Sequence, residues 1–201
     1  MPSHTRNIDG IEALNVPLLT QPNRENECLL YAVSMVLKYC SEVHPSQNIR
    51  DNSEYLSPED MKDEHIRVRD SGWAPDQADL DSLSEHTGTI NLELKYWSRS
   101  PPLDMFETKV VEGLDADIPT IAIVDAKLIQ GLDTENGQHA VVLTGYSDTH
   151  VVVADPWGEA ARKLKKEVVI DAWDTKLNRM ITVDTSRQTA VDKTLPEATQ
   201  T

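Results

Sequence analysis

The stretch GQHAVVLTGYSDTHVVVADPWG, residues 137–158, decides the fold. It holds two apolar runs separated by the polar turn SDTH, a pattern that predicts an antiparallel β-hairpin. His139 stands where the first strand begins, and Asp155 stands where the second strand ends. Because these two positions are neighbours in an antiparallel hairpin, we expect the two polar side chains to lie side by side at one edge of a sheet.

A second stretch, NRENECLLYAVSMVLKYC, lies upstream of the hairpin at residues 23–40. Its apolar residues cover nearly all sides of a helix from about residue 27 to 40, which is typical of a helix buried within a domain. Asn26 is the expected N-cap, so Cys28 falls in the first turn. Cys40, the second of two cysteines, lies about 18 Å away along the same helix, too far to form a disulfide with Cys28.

The other segments complete a mixed fold. Ser57, Pro58 and Asp60 form a capping box that opens one helix, and another helix follows Pro75 and stops at Gly88. Three more strands are predicted near the sequences TINLELKYW, IPTIAIVD and RMITV, and two more helices near LDMFETKVVEGL and KKEVVIDAWDTKL. Helices dominate the first half and strands the second, which indicates an α+β fold with the helices packed on an antiparallel sheet.

The domain organisation is simple. Residues 1–20 are predicted to be an irregular arm that ends in a strand or an extended loop. Residues 1–13 are assigned to an N-terminal arm, and residues 14–184 to a single domain. Residues 185–201 have almost no apolar content and are predicted to be a disordered tail.

Composition narrows the classes of function. The 201 residues carry a net charge of −15, which opposes binding to nucleic acid or to anionic membranes. We see neither an export signal nor a membrane-spanning stretch and therefore expect a cytoplasmic protein. The acidic excess is compatible with adaptation to high salt, or with an ordinary acidic protein. No set of side chains has metal-ligand spacing, so we expect neither a metal nor a cofactor.

The candidate site combines the helix and the hairpin. A cysteine is a useful nucleophile only as its thiolate, which a helix N-terminus and a nearby imidazolium both stabilise. Cys28 meets the first condition, and His139 meets the second if the fold brings the hairpin to the helix. Asp155 would then fix the orientation of the imidazole. Gln21, in the loop before the helix, and the backbone N–H of Cys28 would donate to an oxyanion.

These residues also have plainer interpretations. Cys28 alone would be a small buried apolar side chain, as we expect of Cys40. Asp155 precedes a proline and could simply form a turn, and Trp157 could be a core aromatic. The occurrence of Gln21 and Cys28 upstream with His139 and Asp155 downstream favours the catalytic interpretation.

Both stretches resemble a known group of enzymes, the papain-like cysteine peptidases, and C39-like peptidase domains in particular. LNVPLLTQPNRENECLLYAVSMVLKY is similar to the segment in which a Gln precedes the nucleophilic Cys. GQHAVVLTGY and VVVADPWG are similar to the His strand and to the strand that ends in Asn or Asp; papain relatives have Asn-Ser-Trp-Gly where this chain has Asp155-Pro-Trp-Gly158. The family usually has Gly after the Cys, where this chain has Leu29.

The resemblance implies a papain-like fold and a cysteine peptidase acting on a peptide or protein substrate. It assigns Cys28 as nucleophile, His139 as general base, Asp155 as its orienting partner and Gln21 as an oxyanion donor. Two alternatives stay open. One is a catalytically silent module of the same fold that binds peptides, and the other is an acyl or amide transferase, or a deamidase, that uses the same residues.

Overall fold

A computed structural model describes residues 4–22, 27–43, 57–64, 75–87, 91–95, 102–131, 137–176 and 178–184. Its helices are α1 (Cys28–Val43), α2 (Pro58–Glu64), α3 (Gln77–Thr87), α4 (Pro102–Met105), a π-helical segment (Phe106–Val111), α5 (Glu112–Asp115), α6 (Ala126–Gln130) and α7 (Lys166–Asp174). Its strands are β1 (Thr5–Ile8), β2 (Ile11–Leu14), β3 (Asn91–Lys95), β4 (Thr120–Asp125), β5 (Gln138–Tyr146), β6 (His150–Ala154), β7 (Arg162–Lys165) and β8 (Met180–Asp184).

The eight strands form one sheet in which every pair is antiparallel. Its main path runs β1-β2-β5-β4-β8-β3, and β6 connects β5 to β7. The quoted hairpin is the pair β5–β6, and its two strands meet as predicted. The α+β fold with an antiparallel sheet is therefore confirmed.

Helix α1 lies against β5 and β4 and forms the centre of the core. Apolar side chains cover its whole circumference, and eleven of its 16 residues are buried, from Leu29 to Cys40. A helix that is apolar on all sides needs partners on all sides, which the sheet and the other helices supply. The predicted buried helix is confirmed, and it runs three residues further than expected.

The capping box of α2 forms as predicted. The backbone N–H of Asp60 donates to Ser57 Oγ at 3.1 Å, and the Ser57 hydroxyl donates back to the Asp60 carboxylate. Pro58 takes the first helical position, where its missing N–H leaves no helical bond unmade.

The irregular conformation that we expected for the N-terminal arm is wrong from residue 5 onward. Residues Thr5–Leu14 form a β-hairpin, because Asp9 and Gly10 adopt positive φ angles of 49° and 87° and so make the tight two-residue turn that favours a twisted hairpin. The hairpin joins the sheet where Ala13 pairs with Gly145. A Cβ at Gly145 would lie 2.7 Å from the Glu12 carbonyl oxygen, so glycine permits this close approach.

The structure contains one further strand that the sequence did not predict, and three predictions stay untested. Strand β7 was not predicted; its residues, Arg162–Lys165, lie partly within the segment that we expected to be helical. The N-cap Asn26 and the tail 185–201 lie outside the described residues, and the domain boundaries stay predictions. Within the part of the chain that the structure describes, no helix has the length and apolarity needed to cross a membrane.

Candidate functional site

The first contact of the site joins α1 to β5. Cys28 is the first residue of α1 and is half-buried, whereas Leu29 beside it points into the core. The backbone N–H of Ala140, in β5, donates to Cys28 Sγ at 3.4 Å. This contact places the thiol next to the strand residue that precedes Ala140, which is His139.

His139 and Asp155 form a buried pair at the open end of the hairpin. Nε2–H of His139 donates to Oδ1 of Asp155 at 2.7 Å, and neither side chain is exposed to solvent. The bond fixes the ring with Nε2 toward the carboxylate. The other ring nitrogen, Nδ1, is buried and has no hydrogen-bond partner among the described residues. The Cys28 sulfur is a close electrostatic neighbour of the ring.

The turn after β6 holds this pair in place. The carboxylate oxygen Oδ1 of Asp155 also accepts a bond from the Trp157 backbone N–H at 2.9 Å, and the Gly158 N–H donates to the Asp155 carbonyl at 2.8 Å. Asp155 is therefore both a turn former and the partner of His139. The Trp157 ring stacks on the imidazole, with centroids 4.0 Å apart, and covers one face of the His139–Asp155 pair.

Gln21 reaches the same place from the loop before α1. Its backbone N–H donates to the Pro156 carbonyl at 2.8 Å, which attaches the loop to the turn after β6. Its side chain is buried, and Oε1 accepts a bond from Trp157 Nε1–H at 2.9 Å. The carbonyl oxygen thus faces the indole, and the NH₂ end of the amide faces away from it. All four predicted site residues are accordingly brought to one region.

Two residues that the sequence did not single out complete the surroundings of Asp155. Gln130, at the end of α6, donates from Nε2 to Oδ2 of Asp155. Arg162, at the start of β7, donates from an Nη2 nitrogen to the same oxygen at 3.2 Å. The sequence offers only a general reason to expect such partners, because a buried carboxylate needs a counter-charge. Nothing in the sequence separates Arg162 from the lysines that follow it.

The pair shifts the pKa values of both its members. Burial alone would lower the pKa of His139, but the hydrogen bond to Asp155 and the neighbouring Cys28 sulfur raise it to about 9. Burial likewise opposes ionisation of Asp155, yet the bond from His139 and the charge of Arg162 hold its pKa below the ordinary value. Both shifts favour the ionised pair, an imidazolium beside a carboxylate.

The raised pKa of His139 gives a prediction for stability. Because the folded protein holds the imidazolium proton more tightly than the unfolded chain does, this contribution is complete below the ordinary value of 6.5 and is lost as pH rises through about 9. We expect the unfolding free energy of the wild type, relative to His139→Gln, to fall across that range. Urea unfolding at a series of pH values measures it, and a difference that stays constant or grows would contradict the pairing.

The remaining candidates lie elsewhere. Cys40 is buried, and burial raises the pKa of its thiol to about 12, which makes it unreactive near neutral pH. Gln138, the glutamine that precedes His139, is exposed, unlike the buried Gln21. Among the described side chains, no group of three or more His, Cys, Asp or Glu residues could hold a metal ion.

Comparisons with known proteins concern the family and the fold of the chain. A family model described as "Peptidase_C39 like family" matches residues 13–181. No curated protein sequence matches the chain. Among solved structures, a putative C39-like peptidase from Bacillus anthracis is similar, with a TM-score of 0.58 and 16% identity over 85% of this chain and 94% of its own.

Two further structures are similar at comparable levels. The peptidase domain of Streptococcus ComA, a bifunctional ABC transporter, has a TM-score of 0.56 and 14% identity over 84% of this chain and 98% of its own. A double-glycine-motif protease from an AMS/PCAT transporter, in complex with its leader peptide, has a TM-score of 0.55 and 15% identity over 84% of this chain and 91% of its own. At these identities the similarity concerns the fold.

Proposed function

The chain belongs to the peptidase C39-like family, and from this premise we propose that it is a cysteine peptidase that uses Cys28, His139, Asp155 and Gln21. The resemblance to papain-like peptidases noted in the sequence is confirmed at the level of family and fold. The observation that carries the proposal is the bond from His139 Nε2 to Asp155. It commits one ring nitrogen to the carboxylate and keeps Nδ1 for exchange of a proton with the Cys28 thiol.

The reacting form is an ion pair, in which the Cys28 proton rests on His139 and the sulfur is a thiolate. The thiolate then attacks the carbonyl carbon of a peptide bond, and the carbonyl oxygen takes up the negative charge. His139 gives its proton to the nitrogen as the carbon–nitrogen bond breaks, which releases an amine and leaves a thioester on Cys28. His139 then deprotonates a water molecule, which attacks the thioester. This step releases the acid product and restores the Cys28 thiol.

The negative oxygen of the intermediate needs fixed donors. The backbone N–H of Cys28 is one of the groups at a helix start that make no bond within their own helix. Gln21 is the second, because Trp157 holds its carbonyl oxygen and so sets the direction of the NH₂ end. A single well-placed donor contributes about 3 kcal/mol to stabilising the transition state.

We propose a peptide as the substrate. The double-glycine-motif protease with a similar fold is seen in complex with the leader peptide. The net charge of −15 favours a neutral or basic peptide over an acidic one. Transfer of the acyl group to an amine instead of water would use the same thioester, and the products distinguish the two reactions.

Profiling a peptide library tests this function. We expect the wild type to cleave a subset of peptides, each giving a new carboxyl and a new amino terminus, and Cys28→Ala to cleave none. Running the profile at low and at molar salt also tests whether the acidic surface is an adaptation to salt. Peptides that bind to the wild type but stay intact would instead support a catalytically silent module, and cross-linked or deamidated products would support the transferase or deamidase alternative.

A further inference from the structure

The second carboxylate oxygen of Asp155 is held as firmly as the first. Oδ1 serves His139 and Trp157, whereas Oδ2 accepts bonds from Gln130 and Arg162. We propose that Gln130 and Arg162, the carboxylate clamp, are positioning residues that keep Oδ1 of Asp155 directed at the imidazole of His139. This inference rests on the proposed function for its catalytic meaning, although its effect on His139 can be measured without a substrate.

The clamp is built from two elements that are themselves fixed. Arg162 pairs with Val153 in the β6–β7 ladder, and Val153 is two residues before Asp155. The Arg162 side chain therefore starts close to the carboxylate that it contacts. The same Nη2 nitrogen donates to the Ile129 carbonyl at 3.0 Å, near the end of α6. Arg162 therefore joins β7, α6 and the turn after β6 through a single nitrogen.

Helix α6 supplies the other half of the clamp. Its start is capped by Asp125, whose Oδ1 accepts bonds from the Lys127 and Leu128 backbone N–H groups. Its end is set by Gly131, which adopts a φ of 68° that favours glycine. Both ends of α6 are thereby fixed, which holds the backbone of Gln130 in place beside Asp155.

The clamp restrains rotation of the carboxylate. Turning the group about its Cβ–Cγ bond would break the bonds to Gln130 and Arg162 as well as the bond to His139. Asp155 is fully buried, and an ionised carboxylate without enough donors in such a place is costly. Arg162, whose side chain is 37% exposed, brings a positive charge to it from the surface.

A positioning role and a purely electrostatic role of Arg162 predict opposite changes in the pKa of His139 when Arg162 is removed. As a plain positive neighbour, Arg162 would repel the imidazolium, so its removal would raise the pKa of His139. As a clamp, it maintains the Asp155 bond that favours the imidazolium, so its removal would lower that pKa. The direction of the change therefore decides between the two roles.

The other charged groups around the pair are few among the described residues. Cys28 from α1 and Asp155 after β6 act on His139, and Arg162 from β7 acts on Asp155. Asp125, opposite the neighbouring strand residue Gln138 in the β4–β5 ladder, already pairs with Lys176 at 3.0 Å. The imidazole titration thus reports mainly on the groups of the site itself.

The test is a pH titration of the His139 ring nitrogens by NMR on ¹⁵N-histidine-labelled full-length protein. Arg162→Met removes the charge and the donor, and Arg162→Lys keeps the charge and a donor. Gln130→Met removes the second donor without changing charge. Lys163→Met is the matched control, because Lys163 is adjacent on β7 and its ammonium donates to the Asp9 carbonyl instead.

We expect the His139 midpoint to fall by about one pH unit in Arg162→Met, to return at least halfway in Arg162→Lys, and to stay unchanged in Lys163→Met. A midpoint that is unchanged or higher in Arg162→Met would overturn the clamp. If that variant does not fold, Gln130→Met decides in the same way, since a lower midpoint supports the clamp and an unchanged one overturns it. Failure of the wild type to cleave any peptide would contradict the proposed function and leave this titration unaffected.

Discussion

Cys28→Ala should lower peptide hydrolysis by at least about 1,000-fold, because no other group near His139 can form the thioester. The structure gives a matched control in the same helix. Cys40→Ala removes the second thiol, which is buried in the core about 18 Å along α1 from Cys28, and should keep near-normal kcat/KM with some loss of stability.

The measurement is kcat/KM for the best peptide from the library, with the folded state of each variant checked by its thermal unfolding. Cys28→Ala protein that is folded and keeps more than about a tenth of wild-type activity would exclude Cys28 as the nucleophile. Loss of activity in folded Cys40→Ala would show that Cys40, although buried, also takes part in the reaction.

Asp155→Asn should lower kcat by about 100-fold, even though papain relatives have asparagine at this position. The reason is the carboxylate clamp. An amide has one acceptor oxygen, so its NH₂ must face either the donors of His139 and Trp157 or those of Gln130 and Arg162. Either orientation sets donor against donor and removes a bond that an ionised carboxylate makes.

The same substitution should leave KM almost unchanged, because Asp155 is buried beneath His139 and Trp157 and does not reach a bound peptide. It should also lower the pKa of His139, since the imidazolium loses its counter-charge. Steady-state kinetics across pH and an imidazole titration measure both effects. A kcat within threefold of wild type would show that Asp155 does not orient the base.

The helix and the hairpin of the site could be predicted from the sequence because each is a local pattern. The apolar run after Cys28 has the all-round coverage of a buried helix, and the two runs around the turn at residues 147–150 have the length of strands. His139 and Asp155 mark the ends of those strands, so their proximity followed from antiparallel pairing alone. Contact of the hairpin with the helix came from the family resemblance.

The N-terminal hairpin was missed although its signal was present. Asp9-Gly10 between Ile8 and Ile11 is a strong two-residue turn pattern, but strands of only four residues are too short to show a clear alternation of apolar and polar residues. The pairing that attaches it to the sheet depends on Gly145, a position whose need for glycine is set by the packing of another segment.

The carboxylate clamp could not be predicted for a different reason. Gln130 contacts Asp155 because α6 ends beside it, and Arg162 contacts it because β7 begins there. Each of the two residues lies in a segment with several other polar residues. Short strands such as β7, rich in Arg and Lys, have no alternation of apolar and polar residues that would reveal which side chain turns inward.

If Cys28 is an activated thiol paired with His139, an alkylating reagent should react with it selectively. Native protein is treated with iodoacetamide near neutral pH, and the labelled cysteine is identified by peptide mass mapping in the wild type and in His139→Ala. We expect rapid labelling of Cys28, none of buried Cys40, and loss of the rapid labelling in His139→Ala. Native protein in which Cys28 is not labelled, or is labelled equally fast without His139, would contradict this pairing.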